Sequence, residues 1–188
     1  MNVPNMITIG RVFLIPPVLL LIDKTDPFLC VYAMLIFMLA SVLDLVDGWL
    51  ARRSGLVTVF GKFVDPLADK IMVAALLIFL VADGRVPAWM VVLLLTREFY
   101  ISGLRSLASS AGVVIAAGAG GKAKTVFQLV GICFLLVHYP YRMLGSEGTL
   151  DCHSVGIVTL GLSLFMSVIS AVQYTIGFGE ALAEQRAE

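Results

Sequence analysis

The stretch that decides the fold is DLVDGWLARRSGLVTVFGKFVDPLAD, residues 44–69. It contains four aspartates, Asp44, Asp47, Asp65 and Asp69, and it joins the end of one strongly apolar run to the start of the next. An aspartate at the centre of a membrane helix costs roughly 3 kcal/mol, so four uncompensated carboxylates would approach about 10 kcal/mol. This cost predicts that the carboxylates serve bound cations and chemistry rather than the scaffold.

The composition predicts an integral membrane protein. The 188 residues are 60% apolar and only 14% charged, with a mean hydropathy of +0.99. A soluble domain of this length could not bury so much apolar surface. The formal net charge is zero, so no overall basic field favours a nucleic-acid partner, and membrane lipids are the expected surroundings.

Six apolar runs of about the length of a membrane span follow one another along the chain. They cover residues 7–22, 28–50, 60–81, 88–109, 124–139 and 155–178. Because lipid offers the backbone no water to bond, each run is predicted to be a helix. The expected fold is therefore all-α and integral to the membrane, with six transmembrane helices in one domain over residues 1–188 and a polar loop at 140–154.

The first run has one alternative interpretation, a cleaved signal peptide. It lacks an A-x-A-like cleavage site, and Pro16-Pro17 interrupts its apolar region. The run is therefore expected to stay in the mature chain.

The distribution of Lys and Arg predicts the orientation. With both termini in the cytoplasm, three basic residues fall on the outer side, namely Lys24, Arg85 and Arg142. The inner side or the inner helix ends carry Arg11, Arg52, Arg53, Lys62, Lys70, Arg97, Arg105, Lys122, Lys124 and Arg186. This bias satisfies the positive-inside rule and places the four aspartates near the cytoplasmic side.

The spacing of the aspartates predicts a metal site. Asp44 and Asp47 are three residues apart, and Asp65 and Asp69 are four apart, so each pair lies on one face of its helix. All-oxygen ligation suits Mg²⁺ or Mn²⁺, and neither His nor Cys is nearby in the sequence to favour zinc. Four carboxylates suffice for two ions about 4 Å apart, which is the arrangement used in phosphoryl transfer.

Small and basic residues between the aspartates agree with this prediction. Gly48 and Gly61 flank the acidic pairs, and glycine in a membrane helix allows close approach of a ligand or of another helix. Arg52 is placed to meet a phosphate. The alternatives are ordinary helix packing for the glycines and topological anchoring for Arg52, and Arg53 is interpreted as such an anchor.

The complete string, Asp44-x2-Asp47-Gly48-x2-Ala51-Arg52-x8-Gly61-x3-Asp65-x3-Asp69, resembles the signature of the CDP-alcohol phosphotransferase family at all eight fixed positions. The resemblance covers nearly the whole chain. It implies six transmembrane helices with a short interfacial N-terminal segment, a metal site on the cytoplasmic side, and a homodimer.

The resemblance also implies a reaction. Two divalent cations bind the pyrophosphate of a CDP-linked lipid, the hydroxyl of an acceptor alcohol attacks the lipid-side phosphorus, and CMP leaves. Asp44, Asp47 and Asp65 match metal-holding positions, and Asp69 matches a metal ligand that is also the general base. Positions matching contacts to the CDP-lipid are Asn5, Met6, Ile7, Thr8, Gly48, Ala51, Arg52, Thr58 and Gly61.

The acceptor is predicted from two later segments, residues 96–105 and 121–125. They are similar to those of bacterial phosphatidylglycerophosphate synthases, although Ala123 stands where many such enzymes carry a bulky residue. The resemblance implies transfer from CDP-diacylglycerol to glycerol 3-phosphate in a bacterial inner membrane. Since the acidic cluster would repel a phosphate dianion, cations must receive it, and the candidates are Arg97, Arg105, Lys122 and Lys124.

These basic residues have structural alternatives. Lys122 and Lys124 could be positive-inside anchors, and Arg97 could pair with Glu98 or with another helix. Because adjacent residues point different ways on a helix, Glu98 is expected to be a poor partner for Arg97.

Other functions are left open at this point. The same chemistry could use another acceptor, as in a phosphatidylinositol phosphate synthase or a cardiolipin synthase. A cation-coupled transporter would also carry intramembrane carboxylates, but spread through the membrane depth, and a purely structural membrane subunit is the weakest alternative. The odd number of cysteines argues against a disulfide framework, leaving a Cys30–Cys152 bridge open. His138 and His153 are expected to be structural.

Overall fold

The structure is a computed structural model of the chain. It describes the backbone of residues 3–22, 26–54, 59–112, 120–142 and 148–187. Side chains are described within residues 10, 13–22, 26–43, 70–112, 123–142 and 148–183.

Each of the six apolar runs forms a helix, as predicted. The helices are α1 (Val3–Leu21), α2 (Pro27–Ser54), α3 (Val59–Ala82), α4 (Ala88–Ser110), α5 (Gly120–Val137) and α6 (Cys152–Ala187). Pro16 and Pro17 lie within α1 without ending it. The predominantly helical fold class is therefore confirmed.

The prediction of a plain polar loop at 140–154 was wrong. Strands β1 (Pro140–Arg142) and β2 (Thr149–Asp151) form an antiparallel hairpin, with Tyr141 opposite Leu150. The Tyr141 hydroxyl donates to the carbonyl of Pro27 at 3.3 Å, which ties the hairpin to the start of α2.

Asp151 ends the hairpin and begins α6. Its carboxylate accepts from the His153 amide at 3.1 Å and from the Ser154 hydroxyl at 2.5 Å, as an N-cap residue does. The Ser154 hydroxyl bond is the main cause that lowers the pKa of the Asp151 carboxyl. The negative charge also faces the positive end of the helix dipole.

The chain divides into two compact units, which are described separately. The first comprises Met1–Val86 and Ile132–Gly156, and the second comprises Pro87–Gly131 and Ile157–Glu188.

In the first unit, α1 packs against α2 and α3. The buried side of α2 carries Ala33, Phe37 and Ala40, at the spacing of one helical face. Close packing at the end of α5 requires a glycine, because a Cβ on Gly156 would lie 2.7 Å from Cγ of Leu135.

Arg85 connects a loop of the first unit to the end of α5, a role that its sequence interpretation as a topological residue did not include. Its side chain is almost fully buried. Its guanidinium donates to Asp83 Oδ2 at 2.5 Å and to the carbonyls of Leu135 and Leu136 at 3.2 and 2.7 Å. These carbonyls belong to the last turn of α5, where the helix itself supplies no donors. Arg85 therefore caps the carboxyl end of α5.

Two further expectations from the sequence concern cysteines and histidines of this unit. Cys30 and Cys152 form no disulfide with each other. His138 follows α5 with a positive φ of 61°, and its Nδ1 lies 3.2 Å from Nδ1 of His153. The two histidines thus pair with each other where the hairpin meets the ends of α5 and α6.

In the second unit, the buried face of α4 consists of Met90, Val91, Leu94, Arg97, Ile101 and Ala108. A charged side chain thus interrupts an otherwise apolar stripe. Within α6, the buried positions include Ser163 and Ser167, whereas Phe165 is 65% exposed. Polar groups lie inside this unit and large apolar groups lie on its surface.

Among the described residues, one helical stretch, Cys152–Ala183, is long and apolar enough by itself to cross a membrane, and an 18-residue window within it has a mean hydropathy of 2.2. Shorter apolar helical stretches cover Pro27–Leu43, Lys70–Ala82 and Ala123–Val137. The expectation of six membrane spans goes further than this and stays a prediction.

Candidate functional site

The four predicted metal ligands lie on two consecutive helices of the first unit. Asp44 and Asp47 are on α2, and Asp65 and Asp69 are on α3. Both segments are helical, so the i,i+3 and i,i+4 spacings place each pair on one side of its helix. The side chains of all four lie outside the described residues, and their role as ligands stays a prediction.

The donor set nevertheless fits the ions that the resemblance implies. Four carboxylates supply only oxygen ligands, which Mg²⁺ and Mn²⁺ prefer. Helical spacing presents them as two pairs rather than as four scattered charges.

The positions predicted to contact the CDP-lipid are distributed over three helices of the first unit. Asn5, Met6, Ile7 and Thr8 are in the first turns of α1, Gly48, Ala51 and Arg52 are in α2, and Gly61 is in α3. Thr58 lies outside the described residues. The side-chain contacts of this group are not described, so it stays a prediction too.

The predicted acceptor-binding residues belong to the second unit, where the side chains are described. Arg97 of α4 is only 9% exposed. Its Nε donates to the carbonyl of Ser167 at 2.9 Å, and its Nη1 donates to Glu98 Oε2 at 3.2 Å. Arg97 thus links α4 to α6 while remaining paired with a carboxylate.

Lys124 of α5 reaches the same carboxylate. It is 7% exposed, and its Nζ lies 2.5 Å from Glu98 Oε2. Its own carbonyl accepts a hydrogen bond from the buried Ser163 hydroxyl of α6 at 2.8 Å. A single oxygen of Glu98 therefore binds two buried cations from two helices.

The expectation that Glu98 would be a poor partner for Arg97 was wrong. The rule that adjacent residues diverge concerns the directions of the Cα–Cβ bonds. It does not apply to the far end of a long arginine side chain, which can turn back toward its neighbour. The alternative of a structural pairing for Arg97 is thus supported, and it is compatible with a binding role.

Arg105 and Lys122 complete the predicted set. Arg105 is exposed on α4, and its guanidinium carbon lies 5.7 Å from the centre of the Tyr174 ring. Its charge acts on both Arg97 and Lys124. Lys122 is in the first turn of α5, and its side chain lies outside the described residues. The described cluster therefore contains three cations and one carboxylate.

A cavity of about 500 Å³ adjoins the cluster between α4 and α6. Arg97 and Tyr100 form part of its wall, together with apolar residues such as Leu93, Val168 and Val172. The Tyr100 hydroxyl and Thr175 Oγ1 are 3.1 Å apart at the same groove. An apolar chain could occupy this groove beside the cationic cluster.

The cationic cluster has the chemistry of an anion-binding site. Arginine and lysine at low exposure, with more positive than negative charge, attract an anion more strongly than the same groups in water would. A phosphate, which accepts several hydrogen bonds, is a suitable ligand for this combination.

Comparison with known proteins agrees with the signature in residues 44–69. A model of the family of CDP-alcohol phosphatidyltransferases matches residues 1–173. The chain belongs to this family. The match spans the four aspartates of α2 and α3 as well as the cationic cluster of α4 and α5.

Three similar bacterial proteins share one name. A protein of Bacillus subtilis named CDP-diacylglycerol–glycerol-3-phosphate 3-phosphatidyltransferase is 37% identical over 194 residues, covering 96% of this chain and 97% of its own. Proteins with this name from Rickettsia bellii and Haemophilus influenzae are each 34% identical, covering 92% of this chain and 93% and 91% of their own.

Sequence reasoning missed Glu98 and the two serines that hold the cluster. A signal for Glu98 was present, because a carboxylate inside an apolar run is costly unless a cation neutralises it. Lys124 lies on another helix, so no spacing rule could connect it with Glu98. For Ser167, the bonded group is the backbone carbonyl, which any residue could have supplied.

Proposed function

We propose that this member of the family transfers the phosphatidyl group of CDP-diacylglycerol to glycerol 3-phosphate, giving phosphatidylglycerophosphate and CMP. The observation that carries the proposal is that relatives named for this reaction match more than nine-tenths of the chain at 34–37% identity. Such a product belongs to phospholipid biosynthesis.

The cationic cluster supports a phosphorylated acceptor. Arg97 and Lys124 are buried and charged, and with Arg105 they outnumber the one carboxylate among them. A neutral acceptor such as glycerol would gain nothing from this excess of positive charge. We propose that these three residues and Lys122 bind the phosphate of glycerol 3-phosphate.

The chemical step follows from the groups available. The acceptor hydroxyl oxygen forms a bond to the lipid-side phosphorus of the pyrophosphate, and the bond from that phosphorus to the CMP oxygen breaks. Asp69 takes the hydroxyl proton. Asp44, Asp47 and Asp65, with Asp69, would hold two Mg²⁺ or Mn²⁺ ions, which when bound neutralise the charge of the pyrophosphate and of the leaving CMP. Residues 5–8, Gly48, Ala51, Arg52, Thr58 and Gly61 would bind the CDP-lipid.

We also propose that all six helices span the membrane. The second unit supports this, because Phe165, Val158 and Val172 recur along one face of α6 and are more than half exposed. Such a stripe is unfavourable in water and favourable in lipid. The Lys and Arg bias supports cytoplasmic termini and a cytoplasmic active site in a bacterial inner membrane. The homodimer expected from the family resemblance belongs to the same proposal.

The test is an acceptor panel. Purified protein in detergent with CDP-diacylglycerol and Mg²⁺ would be incubated with labelled glycerol 3-phosphate, inositol phosphate, glycerol or phosphatidylglycerol, and the lipid products would be separated. We expect product from glycerol 3-phosphate. Product from inositol phosphate or phosphatidylglycerol instead would assign a different acceptor, and CMP release without any acceptor would refute transfer.

A further inference from the structure

Glu98 holds the cationic cluster together through one oxygen atom. Oε2 lies 2.5 Å from the ammonium of Lys124 and 3.2 Å from Nη1 of Arg97. The two cations are at most 9% exposed, whereas the Glu98 side chain is 34% exposed. The carboxylate therefore lies at the more open side of the pair.

The two cations depend on Glu98 to different degrees. Arg97 has another strong contact, because its Nε donates to the carbonyl of Ser167. Lys124 is fixed at its backbone by the Ser163 hydroxyl, but its ammonium is held by Glu98 at the end of a flexible stem. A buried ammonium that loses its carboxylate either gives up its proton or moves toward solvent.

We infer that Glu98 is a positioning residue for the acceptor phosphate: it keeps the ammonium of Lys124 charged and beside Arg97, in the place where the phosphate binds. This inference rests on the proposed function. It assigns a role in acceptor binding to an acidic residue in a site that recognises an anion.

The arrangement can bind a phosphate without releasing Glu98. Lys124 has three donors and Arg97 has five, and the hydrogen bonds to Glu98 and Ser167 use one donor of Lys124 and two of Arg97. The remaining donors can bind phosphate oxygens while Glu98 holds both side chains.

The experiment compares Glu98→Gln with Glu98→Asp, using Glu180→Gln on α6 as the matched control for removal of an exposed carboxylate in the same unit. Each variant is measured for kcat, for KM of both substrates and for competitive inhibition by inorganic phosphate. Since charge-assisted hydrogen bonds are the strong ones, we expect Glu98→Gln to raise KM for glycerol 3-phosphate about tenfold or more. KM for CDP-diacylglycerol should stay within about twofold, because the lipid nucleotide does not use this charge.

Inorganic phosphate should inhibit the Glu98→Gln variant less strongly than the wild type, in proportion to the rise in KM for glycerol 3-phosphate. Glu98→Asp keeps the charge, and the flexible Lys124 can follow it, so this variant should recover most of the acceptor affinity. A double-mutant cycle with Lys124→Met should be strongly non-additive, because both changes remove the same positioned ammonium.

Several results would overturn the inference. One is a KM for glycerol 3-phosphate that is unchanged or lower in Glu98→Gln, and another is an equal rise in KM for both substrates. Failure of even Glu98→Asp to fold would assign Glu98 to the scaffold. Failure of the proposed function is distinguishable, since the wild-type protein would then give no product from glycerol 3-phosphate.

Discussion

Removing the Arg85 side chain should destabilise the protein far more than removing an exposed cation such as Arg142. Arg85 is 2% exposed and donates to the carboxylate of Asp83 and to the carbonyls of Leu135 and Leu136. Arg85→Ala would leave a carboxylate at low exposure without this cation and two carbonyls in the last turn of α5 without this donor.

The magnitude follows from these losses. Removing one partner of a buried ion pair lowers the free energy of unfolding by about 3–5 kcal/mol. Buried carbonyls left without a donor move the expected loss toward the upper end of that range. For a chain of this size, about 2–4 °C of melting temperature corresponds to each kcal/mol. We therefore expect Arg85→Ala to lower Tm by roughly 6–20 °C.

The assay is thermal unfolding of the purified protein in one detergent, with Arg142→Ala as the control. Arg142 is exposed on strand β1, so its loss should change Tm little. Arg85→Lys should fall between the two, because an ammonium keeps the charge but cannot reproduce the planar set of donors. Equal melting temperatures for Arg85→Ala and Arg142→Ala would refute the proposed capping of α5.

Three further predictions concern the metal site, the base and the start of α6. Asp69→Asn should reduce kcat by about 10²–10⁴-fold with an unchanged elution profile, since a general base contributes about that factor, and near-normal turnover would exclude Asp69 as the base. EDTA should abolish turnover, and Mg²⁺ or Mn²⁺ but not Ca²⁺ should restore it, because two compact octahedral ions are proposed; activity persisting in EDTA would contradict the metal site. The pKa of the Asp151 carboxyl is lowered in the folded protein, so its negative charge stabilises the fold at any pH above the pKa of the unfolded state. This stabilisation is lost as the pH falls through the folded-state pKa. Asp151→Asn should accordingly lower Tm at neutral pH and converge with the wild type in acid, and a pH-independent difference would show that the charge is not responsible.

The helices were predictable because the composition indicates a lipid environment. An apolar run in lipid has to satisfy its backbone internally, which selects a helix whatever the local propensities. Even the Pro16-Pro17 pair therefore lies inside α1. The pairing of strands β1 and β2 was not predictable in this way, since the polar residues between two apolar runs obey no such constraint.

The aspartate pattern was readable for a different reason. Asp44, Asp47, Asp65 and Asp69 are close in sequence, so helical periodicity alone relates the members of each pair. The capping role of Arg85 was not predictable, because a loop arginine has the same sequence signal whether it anchors the topology or caps a helix. Its partners, Leu135 and Leu136, are some 50 residues away and contribute only backbone carbonyls.

Glu98 shows where spacing rules cease to apply. Successive residues on a helix leave the axis in different directions, and for short side chains this separation persists to the tip. The side chains of Arg97 and Glu98 are long enough for their charged ends to come into contact. Lys124 stabilises this contact, because its ammonium approaches the same Glu98 oxygen. In a medium that stabilises isolated charges poorly, a carboxylate and two cations gain more from sharing one location than they lose by bending their side chains. Adjacent opposite charges within an apolar helix therefore predict a third charged group on a neighbouring helix, and here that group lies on α5.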